Sequence, residues 1–285
     1  MFLEKFRDCV HVGCQGWNYD DWVTGPAGGD RVFYPRGTRA TGMLEIYARA
    51  FSTVEVDSTF YAIPSAQTVD GWAKRTPPQF SFSLKLPQAI THENALRGGS
   101  SADLLAEFCD RLSLLGEKLA VILVQLPPHF DAVPENLLAL REFLALLPRE
   151  LRFSIEFRSR DWIREDVLEM LARHNVALAL VEGQWIPRDL MFEGALAKTA
   201  DFAYVRWMGE RDLTRFDMVQ RPQDTNLQLW SEVIAETCAR TPESVYAYFS
   251  NFYEGHAPAS ANKLKRLFGQ PVTEAADFED QPSLF

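Results

Sequence analysis

The chain has 285 residues, is 47% hydrophobic and 24% charged, and carries a net charge of −10. Such a composition fits a soluble globular protein and argues against disorder, since 12% of the residues are aromatic. The negative charge excludes nucleic-acid binding through bulk attraction, though not through a local basic surface. No apolar run is long enough to cross a bilayer. The opening MFLEKFRDCVHVG is too short and too charged for a secretory signal. Cys9, Cys14, Cys109 and Cys238 form no CxxC pair, so neither a disulfide framework nor a zinc ribbon is expected, and a reducing cytoplasm is the predicted location.

In chain order, eight short apolar runs predict strands: Val10–Gly16, Thr53–Tyr61, Phe80–Leu86, Leu119–Leu126, Arg152–Phe157, Val176–Val181, Phe202–Met208 and Val245–Phe249. Most are rich in Val, Ile and Phe, as strands buried on both faces are. Helical periodicity falls between them at Thr41–Phe51, Ala102–Leu115, Pro134–Leu147, Arg164–His174 and Asn226–Arg240. The segment between Val181 and Phe202 lacks a clear helical pattern. Eight β units with intervening helices predict a single α/β domain, a (β/α)8 TIM barrel over residues 1–268. An open doubly wound sheet would have the same strand count, but no GxGxxG follows the first strand.

Barrel active sites lie at the C-terminal ends of the strands. Read there, the sequence offers Trp17 and Tyr19 after strand one, and Glu55 and Asp57 in strand two, with Tyr61 at its end. Lys85 lies in strand three, with His92 beyond it. Gln125, Glu156, Arg158, Arg206 and Asn251 mark strands four, five, seven and eight. Polar groups at the same end of so many strands point to a ligand site. Structural ion pairing among Glu55, Lys85, Glu156 and Arg206 explains the charges without one.

Glu156, Lys85 and Glu55 are the candidate catalytic residues, with Glu156 read as a general acid/base. The other residues are read as substrate-binding, Trp17, Tyr19 and Tyr61 as stacking surfaces. Lys85, the only lysine on a predicted strand, has the chemistry of a proton donor, a Schiff-base former or an anion anchor.

The five histidines do not converge as a multi-zinc site requires. A single divalent ion held by carboxylates is the remaining metal option and is not favoured. Twelve arginines fall on the predicted active face, which favours a phosphorylated small molecule or a nucleic acid as ligand, but acids share those loops. No GxSxG, HExxH or P-loop occurs.

Together the stretches Gly13–Tyr19 with Trp22, Phe33–Pro35, Tyr47–Phe51 and Thr53–Tyr61 carry a resemblance. So do Phe82–Pro87 with Thr91-His92, Gln125–Pro128, Ile155–Arg158 with Trp162, Tyr204–Arg206 and Phe249–Asn251. In this order they resemble the YecE-like family of barrels of unknown function, over residues 10 to about 268. The resemblance implies a TIM barrel without fixing a reaction. Three positions depart from the family pattern. Asp57 stands where Asn is common, Met208 where a His precedes Gly209, and Ser250 where an Asn begins a Phe-Asn-Asn run.

Residues 269–285 read as a flexible acidic tail ending in Gln281-Pro282-Ser283-Leu284-Phe285. That peptide resembles the Gln-x-Ser/Asp-Leu-Phe segment with which bacterial replication and repair proteins dock on the sliding clamp. Gln281, Leu284 and Phe285 would make the contact. Two functions are therefore expected as alternatives: an enzyme on a phosphorylated sugar, nucleotide or nucleic acid, or a non-catalytic binding barrel. The tail would bring either one to DNA.

Overall fold

The computed structural model describes residues 2–24, 32–240 and 244–278. Eight parallel strands close into a barrel in sequence order. They are β1 Val10–Gln15, β2 Thr53–Val56, β3 Ser81–Lys85, β4 Leu119–Gln125, β5 Phe153–Glu156, β6 Val176–Glu182, β7 Phe202–Trp207 and β8 Ser244–Phe249. β1 pairs with β8 from Val10↔Val245 to Cys14↔Phe249, which rules out the open sheet.

Helices pack outside as α1 Ala40–Ala50, α2 Ala66–Lys74, α3 Gly99–Leu112, α4 Pro134–Leu146, α5 Glu165–Arg173, α6 Arg188–Leu196 and α7 Asp224–Arg240. The short α8 Asn251–Glu254 and then α9 Ala257–Leu267 follow β8. Local chemistry sets several starts. Ser65 accepts a hydrogen bond from the Thr68 amide at 3.1 Å at the head of α2, and Pro134 opens α4 with a fixed φ.

Alternation along the strands divides the apolar side chains into two populations. One faces the helices and forms a large core that includes Trp22, Trp162, Trp207 and Trp230, all fully buried. The other fills the barrel. Ala177 and Ala179 of β6 are small, and Phe202, Tyr204, Tyr246 and Tyr248 of β7 and β8 occupy the space they leave. Register places Ala179 beside Tyr204 and Tyr204 beside Tyr246.

Three sequence expectations need correction. The second strand stops at Val56 rather than Tyr61: Asp57 takes a helical φ of −91°, and Ser58–Phe60 form a 3-10 turn. The segment between Val181 and Phe202, which showed no clear pattern, contains α6. The presumed flexible extension from residue 269 stays on the barrel through residue 278. Gln270 Nε2 donates to the carbonyls of Arg7 and Val10, both at 2.6 Å, and Asn262 Nδ2 donates to that of Thr273 at 2.9 Å. Phe278 is buried with its ring edge-on to Phe33 at 5.8 Å. Gln281, Leu284 and Phe285 lie outside the described residues. No helix among the described residues is long and apolar enough to cross a membrane.

Candidate active site

At the C-terminal mouth, Arg206 of β7 lies across the barrel interior. Its Nε reaches Glu55 Oε2 at 2.9 Å and its Nη2 reaches Glu55 Oε1 at 2.6 Å, a two-point grip. Its Nη1 donates to Glu156 Oε2, and Arg158 Nε donates to Glu156 Oε1 at 2.9 Å. Tyr204 adds its hydroxyl to Glu55 Oε2 at 2.7 Å. Below them the Tyr248 hydroxyl bonds Thr53 Oγ1 at 2.7 Å and Ser83 Oγ at 2.8 Å. Every carboxylate oxygen of Glu55 and Glu156 therefore has a donor, which fixes the arginine and leaves neither acid open.

The electrostatics follow from this wiring. Burial alone would raise the Glu156 carboxyl, but Arg206, Arg158 and Lys85 outweigh it and hold it below the ordinary value. Arg206 is opposed by burial and kept charged by Glu156 and Glu55. An acid held ionised this firmly is a weak base at neutral pH, so the geometry does not favour Glu156 as the proton carrier. Nor do the two acids suit a glycosidase mechanism, which needs carboxylates facing an open gap.

Lys85 differs. Its side chain is buried beside the cluster, and Nζ lies 3.9 Å above the Phe60 ring. Its ammonium makes no hydrogen bond or ion pair among the described residues, whereas its carbonyl accepts from Thr59 Oγ1 at 2.7 Å. Burial lowers its ammonium from 10.5 to about 8; Arg206 and Arg158 push the same way, and Glu156 and Glu55 oppose. Gln125, 3% exposed at the end of β4, shares the inward parity of Val121 and Leu123, and its amide also has no partner among the described residues. His92 stands on a π-helical turn, Ala89–Glu93, edge-on to Phe60 at 4.9 Å and with Nδ1 2.8 Å from Thr91 Oγ1. Burial, then Lys85 and Arg158, lower it to about 4, so it is neutral at pH 7. Ala95 and Leu96, just beyond, both have left-handed φ (48° and 66°), strain of the kind that collects at functional sites.

The remaining candidates are spread around this centre. Tyr19 packs on Trp22 at 4.8 Å and donates to the Gln15 carbonyl at 3.0 Å, covering the end of β1. Asp57 is exposed past β2, and Tyr61, 74% exposed, touches Phe60 edge-on. Trp17 does not face the mouth cluster in its ring contacts; it packs edge-on against Trp72 of α2 at 6.0 Å. Asn251 does not join the site either. Its Oδ1 accepts from Trp22 Nε1 and the Ala257 amide, both at 3.0 Å, tying the first loop to the start of α9. Glu182, one residue out of parity with Val181, turns outward and accepts from Trp230 Nε1 at 2.5 Å.

Several arginines expected to bind phosphate pair with acids instead, as Arg164 does with Asp166, Arg215 with Asp217 and Arg221 with Asp212. Among the described residues no group of three or more His, Cys, Asp or Glu side chains comes together to hold a metal.

Sequence reasoning missed Gln15 and the loop after β6. Gln15 Nε2 donates to Met208 Sδ at 2.9 Å. Trp185, 44% exposed, receives the Arg158 guanidinium over its ring at 5.8 Å. An exposed tryptophan between a glycine and a proline-bounded helix was the available signal.

Comparison with known proteins settles the kinship. The family model described as "Protein of unknown function DUF72" matches residues 11–283. The chain belongs to the DUF72 family. It is 34% identical to the UPF0759 protein YecE of Escherichia coli K12 over 149 residues, 52% of this chain and 48% of YecE. It is 32% identical to YunF of Bacillus subtilis over 159 residues, 54% of this chain and 52% of YunF. These alignments span about half the length of the curated relatives. A crystal structure of a DUF72 protein from Thermotoga maritima superposes with a TM-score of 0.74 at 26% identity, covering 92% of this chain and 99% of that one. A DUF72 protein from Enterococcus faecalis gives 0.72 at 20% identity, covering 97% and 99%. A Cellulomonas fimi endo-β-1,4-mannanase, at 0.52 and 10% identity over 98% of this chain and 75% of its own, shares the barrel alone.

Proposed function

We propose that this DUF72 barrel is an enzyme acting on a phosphorylated small molecule, a sugar phosphate or a nucleotide, with Lys85 as its proton-transfer group. One observation carries the reading: at the mouth the Lys85 ammonium, set over the Phe60 ring, and the Gln125 amide make no hydrogen bond to protein among the described residues, so both remain available to a ligand. Glu55, Glu156, Arg206, Arg158 and Lys85 together carry one net positive charge at neutral pH, and an anion would complete the set.

In this reading Glu55 and Glu156 position Arg206 and Arg158. Lys85, ionising near 8, can give and take a proton close to neutral pH. Arg158 keeps its two terminal nitrogens free of Glu156 and can fork onto phosphate oxygens. The test is a thermal-shift screen of sugar phosphates and mononucleotides, followed by proton NMR in D2O on those that bind. Wild-type protein should bind and then exchange or convert at least one, and Lys85→Met should do neither. Binding without exchange or turnover would make the barrel a non-catalytic binder. Equal behaviour of the two proteins would remove Lys85 from the account.

A second proposal concerns recruitment. The acidic segment is anchored at Phe278, and Gln281-Pro282-Ser283-Leu284-Phe285 follows it. Leu284 and Phe285 as adjacent apolar anchors, with Gln281 at their edge, support docking on the bacterial sliding clamp. A Val272–Phe285 peptide should bind purified clamp, and its Leu284→Ala/Phe285→Ala form should not. Negligible binding by both would end this reading and leave the barrel-mouth proposal standing.

A further inference from the structure

A cleft of about 120 Å³ opens beside the charged cluster, between the ends of β5, β6 and β7. It shares Glu156 and Arg158 with the mouth. Phe157, Ile186, Met191 and Met208 make apolar walls, and Trp185 stands over it. Trp185 is 44% exposed, whereas Trp162 after β5 and Trp207 at the end of β7 are fully buried. Arg158 connects the two regions: Nε is held by Glu156, and the guanidinium lies over the Trp185 ring.

We infer that this cleft is the subsite for a single flat ring attached to the anionic group of the substrate, the ring resting against Trp185 and the two methionines. The inference rests on the proposed anion site at the mouth and adds the substrate's second half. Size sets the limit. An apolar cavity of about 150 Å³ accommodates benzene, so about 120 Å³ is on the scale of one six-membered ring, and a fused pair would have to extend out of the open side.

Chemistry selects the kind of ring. A sugar ring in a cleft needs hydrogen-bond partners for several hydroxyls, yet the walls are mostly thioether, alkyl and aromatic groups; Gln184, Glu156 and the arginines are the polar members, and both Glu156 oxygens are already taken by Arg158 and Arg206. Methionine sulfur and tryptophan both make favourable contact with aromatic edges and faces. A pyrimidine nucleotide is the ligand class that joins such a ring to a phosphate. Met208 and Gly183 both line the cleft and lie close together: an added Cβ at Gly183 would lie 3.5 Å from Met208 Cβ.

The experiment compares inorganic phosphate, ribose 5-phosphate, uridine 5′-monophosphate and adenosine 5′-monophosphate by calorimetric titration. Wild type, Trp185→Ala, Trp185→Phe and Lys85→Met are each titrated. Base stacking on one aromatic side chain corresponds to a gain of about fivefold or more in affinity. Wild type should therefore bind uridine 5′-monophosphate at least about fivefold more tightly than ribose 5-phosphate, and more tightly than the adenosine compound. Trp185→Ala should erase that preference while leaving ribose 5-phosphate affinity unchanged, and Trp185→Phe should restore part of it. Lys85→Met should bind none of the four.

If wild type binds ribose 5-phosphate and uridine 5′-monophosphate equally, or if Trp185→Ala weakens both alike, the ring subsite is wrong and the anion site survives. If wild type binds none of the four, the anion site itself is wrong and the subsite falls with it.

Discussion

Arg206 grips Glu55 through both arms of its guanidinium, at 2.9 and 2.6 Å, in the interior of the barrel where neither side chain is more than 2% exposed. Its third nitrogen holds Glu156, so one arginine neutralises two acids that would otherwise repel each other. Removing one member of a buried ion pair strands its partner at a cost of about 3–5 kcal/mol. Arg206→Met strands two carboxylates and is expected to lose at least that much in denaturant titration, to the point of failing to fold. Glu156→Gln should fold, with a loss of about 1–3 kcal/mol, because Arg206 retains both bonds to Glu55. A Glu156→Gln protein as damaged as Arg206→Met would contradict this division of labour.

Lys85 should show itself in the pH dependence of stability. Its ammonium ionises near 10.5 in the unfolded chain and near 8 in the fold. Between those values the unfolded state binds more protons, so this group makes stability rise with pH across pH 8–10.5 and imposes its full penalty below 8. Lys85→Met removes the penalty. It should be more stable than wild type at pH 7, by about 3 kcal/mol in the ligand-free protein, with the advantage fading toward pH 10.5. Thermal melts of both proteins at pH 7, 8.5 and 10 would show it, and parallel curves would contradict it.

Much of this architecture was legible. The eight apolar runs correspond to the eight strands because parallel strands buried on both faces have little polar content to blur them. Glu55, Lys85, Gln125, Glu156 and Arg206 could be grouped from parity and strand position alone. Asn251 met the same criteria, but position after a strand does not say which way a side chain turns; here its Oδ1 turns toward Trp22, while its buried Nδ2 has no partner among the described residues. Trp185 stayed hidden in a loop whose short helix α6 has little amphipathic pattern. Sequence alone does not reveal that Phe278 packs on the barrel, because its partner, Phe33, lies far away in sequence.

Asn251 therefore separates structure from function. Asn251→Ala removes the acceptor of two buried hydrogen bonds and should cost about 1–3 kcal/mol. Affinity for phosphate should not change in the protein that remains folded. A selective loss of anion binding with normal stability would return Asn251 to the site.

Gly209 fixes the loop that carries Met208 beside the cleft. Its φ is +64°, and an added Cβ would lie 2.1 Å from the Phe252 carbonyl oxygen. Gly209→Ala must move the loop away from α8 and is expected to cost about 2 kcal/mol or more in chemical denaturation. A substitution within 0.5 kcal/mol of wild type, on the scale of an ordinary surface change of about that size, would mean the approach is not constrained.

The central claim is that Lys85 waits for an anion, and the most direct measurement is calorimetric titration of the folded protein with inorganic phosphate between pH 7 and 9.5. The account predicts binding at pH 7 that weakens as pH rises through about 8, where Lys85 loses its proton, and that is absent in Lys85→Met at every pH. Phosphate binding by Lys85→Met equal to wild type, or wild-type affinity that stays level across pH 8, would contradict it.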